Sequence, residues 1–242
     1  MPSMSSFANH RPRAYFGLLA AAGLFGAVVV PWLLVGAANM TPDKTLIAIF
    51  DDRVANWLNE HGTASTDLLF KIISLFGDWL LVAVVLAAVL RFARRRQLEK
   101  AAGLVIACAG AALLNVVLAL TFRRAHSLAA TNFESVAQGV NFPSGHSMLA
   151  LVAYGMLTYF VLASTRSSVA KQVASVAAAA VLVGLIGLAR VYLGVHSVSD
   201  VVLGFAAGAV WLAACIVAYP RLVAIAGTRS APAVTTLQPM TS

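Results

Sequence analysis

Residues 190–200 read RVYLGVHSVSD and lie between two long apolar runs. If the chain is helical from His196, the imidazole and the Asp200 carboxylate lie one turn apart on the same helix face. The carboxylate would then keep one ring nitrogen protonated and leave the other free as a nucleophile. Arg190 contributes a permanent, forked cation that suits phosphate. Taken singly, each residue is an ordinary polar group at a helix end, but their combination beside a membrane segment favours a functional site.

A second cluster, FPSGHS at residues 142–147, begins another long apolar run. Proline suits the first turn of a helix, serine suits a cap, and glycine lets the backbone approach a ligand closely. The free N–H groups of a helix start form a phosphate cradle. His146 would project beside that cradle, and Ser147 could add a hydroxyl. The alternative is simple helix capping, with His146 as an interfacial side chain.

The composition indicates an all-α membrane protein. Of the 242 residues, 60% are hydrophobic and 11% are charged, and apolar runs long enough to span a bilayer recur. The net charge of +8 does not indicate a nucleic-acid partner, because the basic residues fall in short loops between apolar runs. Cys108 and Cys215 lie inside apolar runs, which predicts packing residues and not a disulfide or a metal pair.

The apolar pattern predicts one membrane domain over residues 14–219, built as a bundle of six transmembrane helices. The first apolar run, 14–38, ends in small residues that would suit signal-peptide cleavage. It is longer than a signal core of roughly 7–15 residues, so we favour an uncleaved helix. The other spans are predicted at 72–90, 101–122, 143–163, 172–189 and 199–219. A short polar N-terminus, residues 1–13, and a disordered tail, residues 220–242, flank the domain.

Residues 39–70 form a polar connection that contains a helical pattern. The apolar members of this pattern are Ile47, Phe50, Val54, Trp57 and Leu58. Their spacing predicts an amphipathic helix at the membrane surface, which could border the entrance for a lipid. A packed helix outside the membrane, without substrate contact, is the equal alternative.

Loop charges predict the orientation of the bundle. Six spans place both termini on one side. The N-terminus, residues 91–100, residues 164–171 and the tail together hold 11 of the 17 Lys and Arg, but only one acid, Glu99. These segments, including both termini, are therefore expected in the cytoplasm. The two clusters then lie at the outer face of the plasma (inner) membrane, facing the periplasm or the cell exterior.

The two clusters together resemble the type 2 phosphatidic acid phosphatase (PAP2) superfamily of integral-membrane lipid phosphatases, which shares its site with vanadium haloperoxidases. The resemblance covers residues 70–219. It implies that His196 attacks phosphorus and forms a phosphohistidine, while Asp200 orients and charges this histidine. It also implies that His146 protonates the leaving oxygen and then helps to activate water. The phosphate oxygens would be bound by Arg190, Ser144 and Gly145.

These implied roles match what phosphoryl transfer requires. The reaction needs an in-line nucleophile, an acid for the leaving group and fixed positive charge around the phosphate oxygens. One histidine beside a carboxylate and one without an adjacent carboxylate would provide two different proton roles. No metal or other cofactor is expected.

The sequence departs from the first motif of the family, a lysine followed seven residues later by arginine-proline. Ala119 stands at the lysine position, and His126 stands at the arginine position. The same region offers Arg123 and Arg124, which we expect to supply phosphate contacts with help from His126. A basic patch attracted to anionic lipid headgroups is the alternative.

The resemblance predicts a membrane lipid phosphatase. Family-level substrates are phospholipid or polyprenyl phosphates: undecaprenyl diphosphate, phosphatidylglycerol phosphate, phosphatidic acid and a lipid A phosphate. Undecaprenyl diphosphate is favoured because a bacterium releases this lipid at the outer face. The alternatives are a lipid phosphotransferase using the same histidines, a vanadate-dependent haloperoxidase and a non-catalytic lipid-binding protein. Release of free phosphate without an acceptor lipid separates the hydrolase from the transferase.

Overall fold

The computed structural model describes residues 46–121, 143–164 and 168–229. Over these ranges the chain forms helices and no strand, as the composition predicted. The helices are α1 (Leu46–His61), α2 (Ala64–Leu75), α3 (Trp79–Arg94), α4 (Leu98–Thr121), α5 (Gly145–Ser164), α6 (Val169–Tyr192) and α7 (Val198–Arg229).

Five described stretches are long and apolar enough to cross a bilayer. They are Ala64–Arg94, Leu98–Ala119, Gly145–Ser164, Val169–Tyr192 and Val198–Pro220. These stretches correspond to the second to sixth predicted spans. The predicted N-terminus, residues 1–13, and the predicted first span, 14–38, lie outside the described residues.

Two helix boundaries differ from the predicted ones. The predicted second span, 72–90, is divided by a turn at residues 76–78 that separates α2 from α3. At the other end of the chain, α7 continues through Pro220 to Arg229 and does not stop at 219. Proline removes one N–H donor, but after Arg221 the sequence returns to apolar residues from Leu222 onward and remains compatible with a helix. The remainder of the predicted tail, 230–242, lies outside the described residues.

The predicted amphipathic helix within residues 39–70 forms α1, and its apolar positions are only partly covered. Phe50 and Trp57 are exposed, whereas Asp51 is buried. This helix packs against α6 and α7. The buried acid therefore marks the face that contacts the bundle, and a position at the membrane surface stays a prediction.

The centre of the bundle is α5, which packs against α4, α6 and α7. One group of buried side chains joins α5 to α4 and comprises Leu104, Ala107, Ala111, Met148, Val152, Met156 and Phe160. A second group, Leu81, Ala150, Ala153 and Ile186, joins α5 to α3 and α6. Because α5 is held on all these sides, its first residues are fixed relative to the ends of its neighbours.

Two glycines of α7 allow it to lie directly against α5. A Cβ atom on Gly204 would stand 2.5 Å from the carbonyl oxygen of Ser144, and one on Gly208 would stand 3.1 Å from that of Met148. Real Cβ atoms essentially never approach so closely as the first of these distances. These two glycines therefore permit the close packing of α7 on α5.

We expect Gly204→Ala to lower the free energy of unfolding by about 1–3 kcal/mol, because the added methyl group forces α7 away from α5. The midpoint of unfolding in mixed detergent micelles measures this change. Gly184→Ala is the matched control, since a Cβ atom there meets nothing within 4 Å. That change should raise stability by up to about 1 kcal/mol through helix propensity. Equal effects at the two positions would contradict the packing explanation.

Candidate active site

The end of α6 folds back on itself and carries His196 next to Arg190. The carbonyl oxygen of Arg190 accepts hydrogen bonds from the N–H groups of Val195, at 3.1 Å, and His196, at 3.2 Å. Gly194 makes this turn possible with a φ of 68°, a left-handed conformation that glycine adopts without strain. The glycine in the 190–200 stretch thus closes the helix and positions the predicted nucleophile.

The start of α7 is fixed by a reciprocal cap between Ser197 and Asp200. The Asp200 N–H donates to the Ser197 hydroxyl at 3.2 Å, and the Ser197 N–H donates to Asp200 Oδ2 at 3.1 Å. His196 therefore precedes the helix, whereas the sequence analysis considered a helix from His196 onward. Its Nδ1 still lies 3.8 Å from Asp200 Oδ2. This distance is longer than a hydrogen bond but short enough for strong attraction between charged groups.

The start of α5 meets the start of α7, so the two predicted clusters form one site. The Ser144 N–H donates to the Asp200 carbonyl oxygen at 3.1 Å. On the other side, the amide of Asn115 in α4 donates to the Pro143 carbonyl oxygen at 2.9 Å. The first turn of α5 is therefore held from two neighbouring helices.

His146 projects from this turn, and its imidazole contacts a carboxylate that the sequence analysis did not single out. Its Nε2 lies 2.9 Å from Oδ1 of Asp78, in the turn between α2 and α3. The same Oδ1 accepts a hydrogen bond from Nη2 of Arg190. The expectation that one of the two histidines would lack an adjacent carboxylate is therefore wrong. Each histidine has its own aspartate.

The site is buried on the arginine side and open on the His146 side. The side chains of Arg190, His196 and Asp200 are 7%, 4% and 3% exposed, whereas that of His146 is 46% exposed. The open and the buried side of the site are linked, because the His146 imidazole and the Arg190 guanidinium both contact Asp78.

Arg190 retains donor capacity in spite of its burial. Its Nε has no hydrogen-bond partner among the described residues. A buried, charged donor without a partner carries an energetic cost. An anionic oxygen placed beside Nε would remove this cost, which makes this edge of the guanidinium a suitable place for phosphate.

The other residues predicted to contact phosphate are Ser144, Gly145, Arg123, Arg124 and His126. Ser144 is fully buried and its hydroxyl is hydrogen-bonded to that of Ser147 at 2.9 Å, so its observed role is to cap α5. Gly145 begins α5 and is half-buried beside Asn115. Arg123, Arg124 and His126 lie outside the described residues.

Sequence reasoning missed three residues that shape this site: Asp78, Asp51 and Asn115. Asp78 carried a usable signal, because it is the acid within the predicted span 72–90, and ionisable residues inside a span mark functional sites. Asn115, a lone amide within the predicted span 101–122, carried a weaker one. Asp51 carried none, because it stands among other charged residues in a polar connection.

Helices α1 and α2 attach to the bundle beside the site. Asp51 accepts two hydrogen bonds from Ser199, one from the N–H at 3.1 Å and one from the hydroxyl at 2.6 Å. The hydroxyl of Tyr192 donates to Asp67 at 2.8 Å, and its ring stacks on Phe70. These contacts hold both ends of the 190–200 stretch from outside.

Both clusters lie in a part of the chain that matches a known family. The sequence model of the PAP2 superfamily matches residues 100–224, just over half of the chain, and this range contains both clusters. The chain belongs to the PAP2 superfamily.

Two curated PAP2-type relatives resemble parts of the chain. Phosphatidylglycerophosphatase B of Bacillus subtilis is 41% identical over 68 residues, which are 28% of this chain and 34% of the relative. Lipid phosphate phosphatase delta of Arabidopsis thaliana is 42% identical over 76 residues, which are 31% of this chain and 18% of the relative. The chain thus spans about a third and about a fifth of the lengths of these relatives.

A solved structure resembles the PAP2 chain over most of its length. It is described as the first transmembrane PAP2 type phosphatidylglycerolphosphate phosphatase from Bacillus subtilis. The TM-score is 0.63 at 22% identity, and the match covers 82% of this chain and 98% of the other. At this identity the likeness concerns the fold.

We expect Asp51→Ala to lower the free energy of unfolding of this PAP2 chain by about 1–2 kcal/mol, because the first turn of α7 loses two hydrogen bonds. The unfolding midpoint in detergent measures the effect. Asp52→Ala, at the exposed neighbouring position, is the matched control and should leave the midpoint unchanged. If both variants behave alike, Asp51 does not fix α7.

Proposed function

We propose that this PAP2 chain hydrolyses a lipid phosphate or diphosphate through a phosphohistidine at His196. The observation that carries the proposal is that the backbone turn at the end of α6 holds His196 next to buried Arg190, whose Nε is without a partner among the described residues. A phosphate oxygen on Arg190 Nε would bring phosphorus next to the imidazole. His146, the more exposed histidine, then faces the leaving group.

The reaction proceeds in two balanced steps. A ring nitrogen of His196 attacks phosphorus, the bond to the lipid oxygen breaks, and this oxygen takes a proton from His146. Water then attacks the phosphohistidine, its proton passes to His146, and the nitrogen–phosphorus bond breaks to release phosphate. Asp200, near Nδ1 of His196, leaves Nε2 as the attacking nitrogen and stabilises the positive charge that develops.

Two lipid classes stand first among the substrates. Both the bacterial curated relative and the structural neighbour are named as phosphatidylglycerophosphate phosphatases, which supports phosphatidylglycerol phosphate. Undecaprenyl diphosphate is the sequence-based candidate, because it needs a site at the outer face. The family's lysine position is occupied by Ala119 in this chain. With either substrate, Arg123 and Arg124 would make the phosphate contacts of that lysine, with help from His126.

In this proposal, six transmembrane helices form a bundle in the plasma membrane. Both termini lie in the cytoplasm, and the site faces outward. Five candidate spans together with the apolar run 14–38 support the helix count. The basic turn after α3 lies at the end of the bundle opposite the site, where Lys100 of α4 reaches Ser164 at the end of α5. This separation of the basic turn from the site supports the orientation.

Purified protein in detergent with EDTA is expected to release phosphate from one member of a lipid panel without an acceptor lipid. The panel contains undecaprenyl diphosphate, phosphatidylglycerol phosphate, phosphatidic acid and lipid A. We expect His196→Ala to lower the rate by at least about 10³-fold, because the nucleophile is lost. Samples quenched in alkaline detergent, where a phosphohistidine is stable, should contain a phosphoenzyme in the unmodified protein and none in the variant.

Full activity in His196→Ala would refute the assigned nucleophile. Phosphate that appears only when an alcohol lipid is supplied, and then on that lipid, would identify a phosphotransferase. Binding of lipid phosphates without turnover would identify a binding protein. The last two results would each replace the proposed hydrolase with a defined alternative.

Cysteine labelling tests the proposed orientation. Both variants are made in a background with Cys108 and Cys215 changed to alanine. The His61→Cys variant carries its cysteine near the site end of the bundle, and the Arg95→Cys variant carries it at the opposite end. A membrane-impermeant maleimide added to intact cells should label the first variant and label the second only after lysis. The reverse pattern would place the site in the cytoplasm.

A further inference from the structure

The Asp78 carboxylate occupies a central position between the two halves of the site. Its Oδ1 accepts from Arg190 Nη2 and lies 2.9 Å from His146 Nε2. Its Oδ2 accepts from the buried Ser74 hydroxyl at 3.0 Å. Both oxygens are thus engaged by side chains from three helices.

The backbone around Asp78 is built for this contact. Gly77 allows the turn to lie against α6, since a Cβ atom there would stand 2.6 Å from a methyl group of Ile186. The Phe76 carbonyl oxygen accepts from the Tyr154 hydroxyl of α5 at 2.8 Å. The turn is therefore held by α5 and α6, the helices that carry His146 and Arg190.

Helix capping does not explain this aspartate. Asp78 occupies the N-cap position of α3, where an aspartate ordinarily accepts from the first N–H groups of its helix. Its side chain makes no such hydrogen bond. The carboxylate is instead directed across the bundle towards His146 and Arg190.

We infer that Asp78 is a positioning residue, which orients His146 and favours its protonated form so that it can deliver a proton to the leaving lipid oxygen. This inference rests on the proposed phosphatase function. A protonated imidazole can donate from Nε2 to Asp78 and from Nδ1 to the leaving oxygen at the same time. Because one carboxylate oxygen binds both Arg190 and His146, it also fixes the distance between the phosphate-binding cation and the proton donor.

This arrangement does not require Asp78 to leave when phosphate binds. Asp78 engages Nη2 of Arg190, whereas Nε has no partner among the described residues. Phosphate can therefore use the Nε donor of the guanidinium while Asp78 keeps Nη2. Asp78 then acts on proton transfer more than on substrate affinity.

The decisive measurement compares Asp78→Asn on two leaving groups. A lipid alkoxide needs a proton as it departs, whereas the p-nitrophenolate of p-nitrophenyl phosphate does not. We expect kcat on the lipid substrate to fall by about 10–100-fold, with a change in KM of less than about threefold. On p-nitrophenyl phosphate the loss in kcat/KM, which reports formation of the phosphohistidine and not its hydrolysis, should stay below about threefold. Asp78→Glu, which keeps the charge, should recover part of the lipid activity.

A double-mutant cycle on the lipid substrate gives a second reading. If Asp78 acts through His146, Asp78→Asn should change the residual rate of His146→Ala by less than about threefold. Asp52→Asn, an exposed acid on α1, is the matched control and should retain wild-type kinetics. Unfolding midpoints of all variants identify losses that come from instability.

Different results identify different failures. Equal losses on both leaving groups, a rise in KM alone, or additive losses in the cycle would overturn the role of Asp78 and leave the phosphatase proposal intact. An unmodified protein that releases no phosphate from any substrate would overturn the proposed function, and this inference with it.

Discussion

A backbone hydrogen bond from the Ser144 N–H to the Asp200 carbonyl oxygen joins the first turns of α5 and α7. It can form because Gly204 has no side chain, so that α7 lies directly on the Ser144 carbonyl. The first turns of α5 and α7 are thereby placed side by side. Helix N-termini carry partial positive charge, so this contact already creates a region favourable to an anion before any side chain is considered.

The charged side chains of the site are arranged in pairs of opposite charge. Burying Arg190 without a counterion would be costly, and Asp78 supplies that counterion while its second partner is His146. Asp200 has a similar double use, because it caps α7 through Ser197 and lies beside His196. Each aspartate therefore stabilises the fold locally and orders one histidine. Fold and proposed chemistry depend on the same carboxylates.

The sequence was sufficient to predict contacts between residues that lie close together in the chain. The 190–200 stretch contains its own helix end, glycine turn and cap, so the approach of His196 to Asp200 was predictable from spacing, although the helix begins two residues later than assumed. The all-α fold and the packing of Gly204 were predictable for the same reason, because apolar and small residues repeat at helical spacing.

Contacts between distant segments were not predictable in this way. Asp78 meets Arg190, and Asp51 meets Ser199, across more than a hundred residues of chain. Which helix faces meet depends on the packing of the whole bundle, and a local pattern does not encode this. A lone acid in an apolar span indicates that it has a partner, because an unpaired charge there would be too costly. It does not indicate which residue that partner is.

The two histidines differ in exposure, so the site has an enclosed side and an open side. His196 is enclosed with Arg190 and Asp200, where the low dielectric strengthens every charge interaction, whereas His146 is half open. A phosphate bound in the enclosed part must therefore keep its lipid chain on the His146 side. In the proposed reaction the leaving oxygen lies beside His146, which contacts Asp78 through Nε2. The difference in burial places the proposed nucleophile in the enclosed part of the site and the proposed acid at its open side, an order that suits in-line phosphoryl transfer.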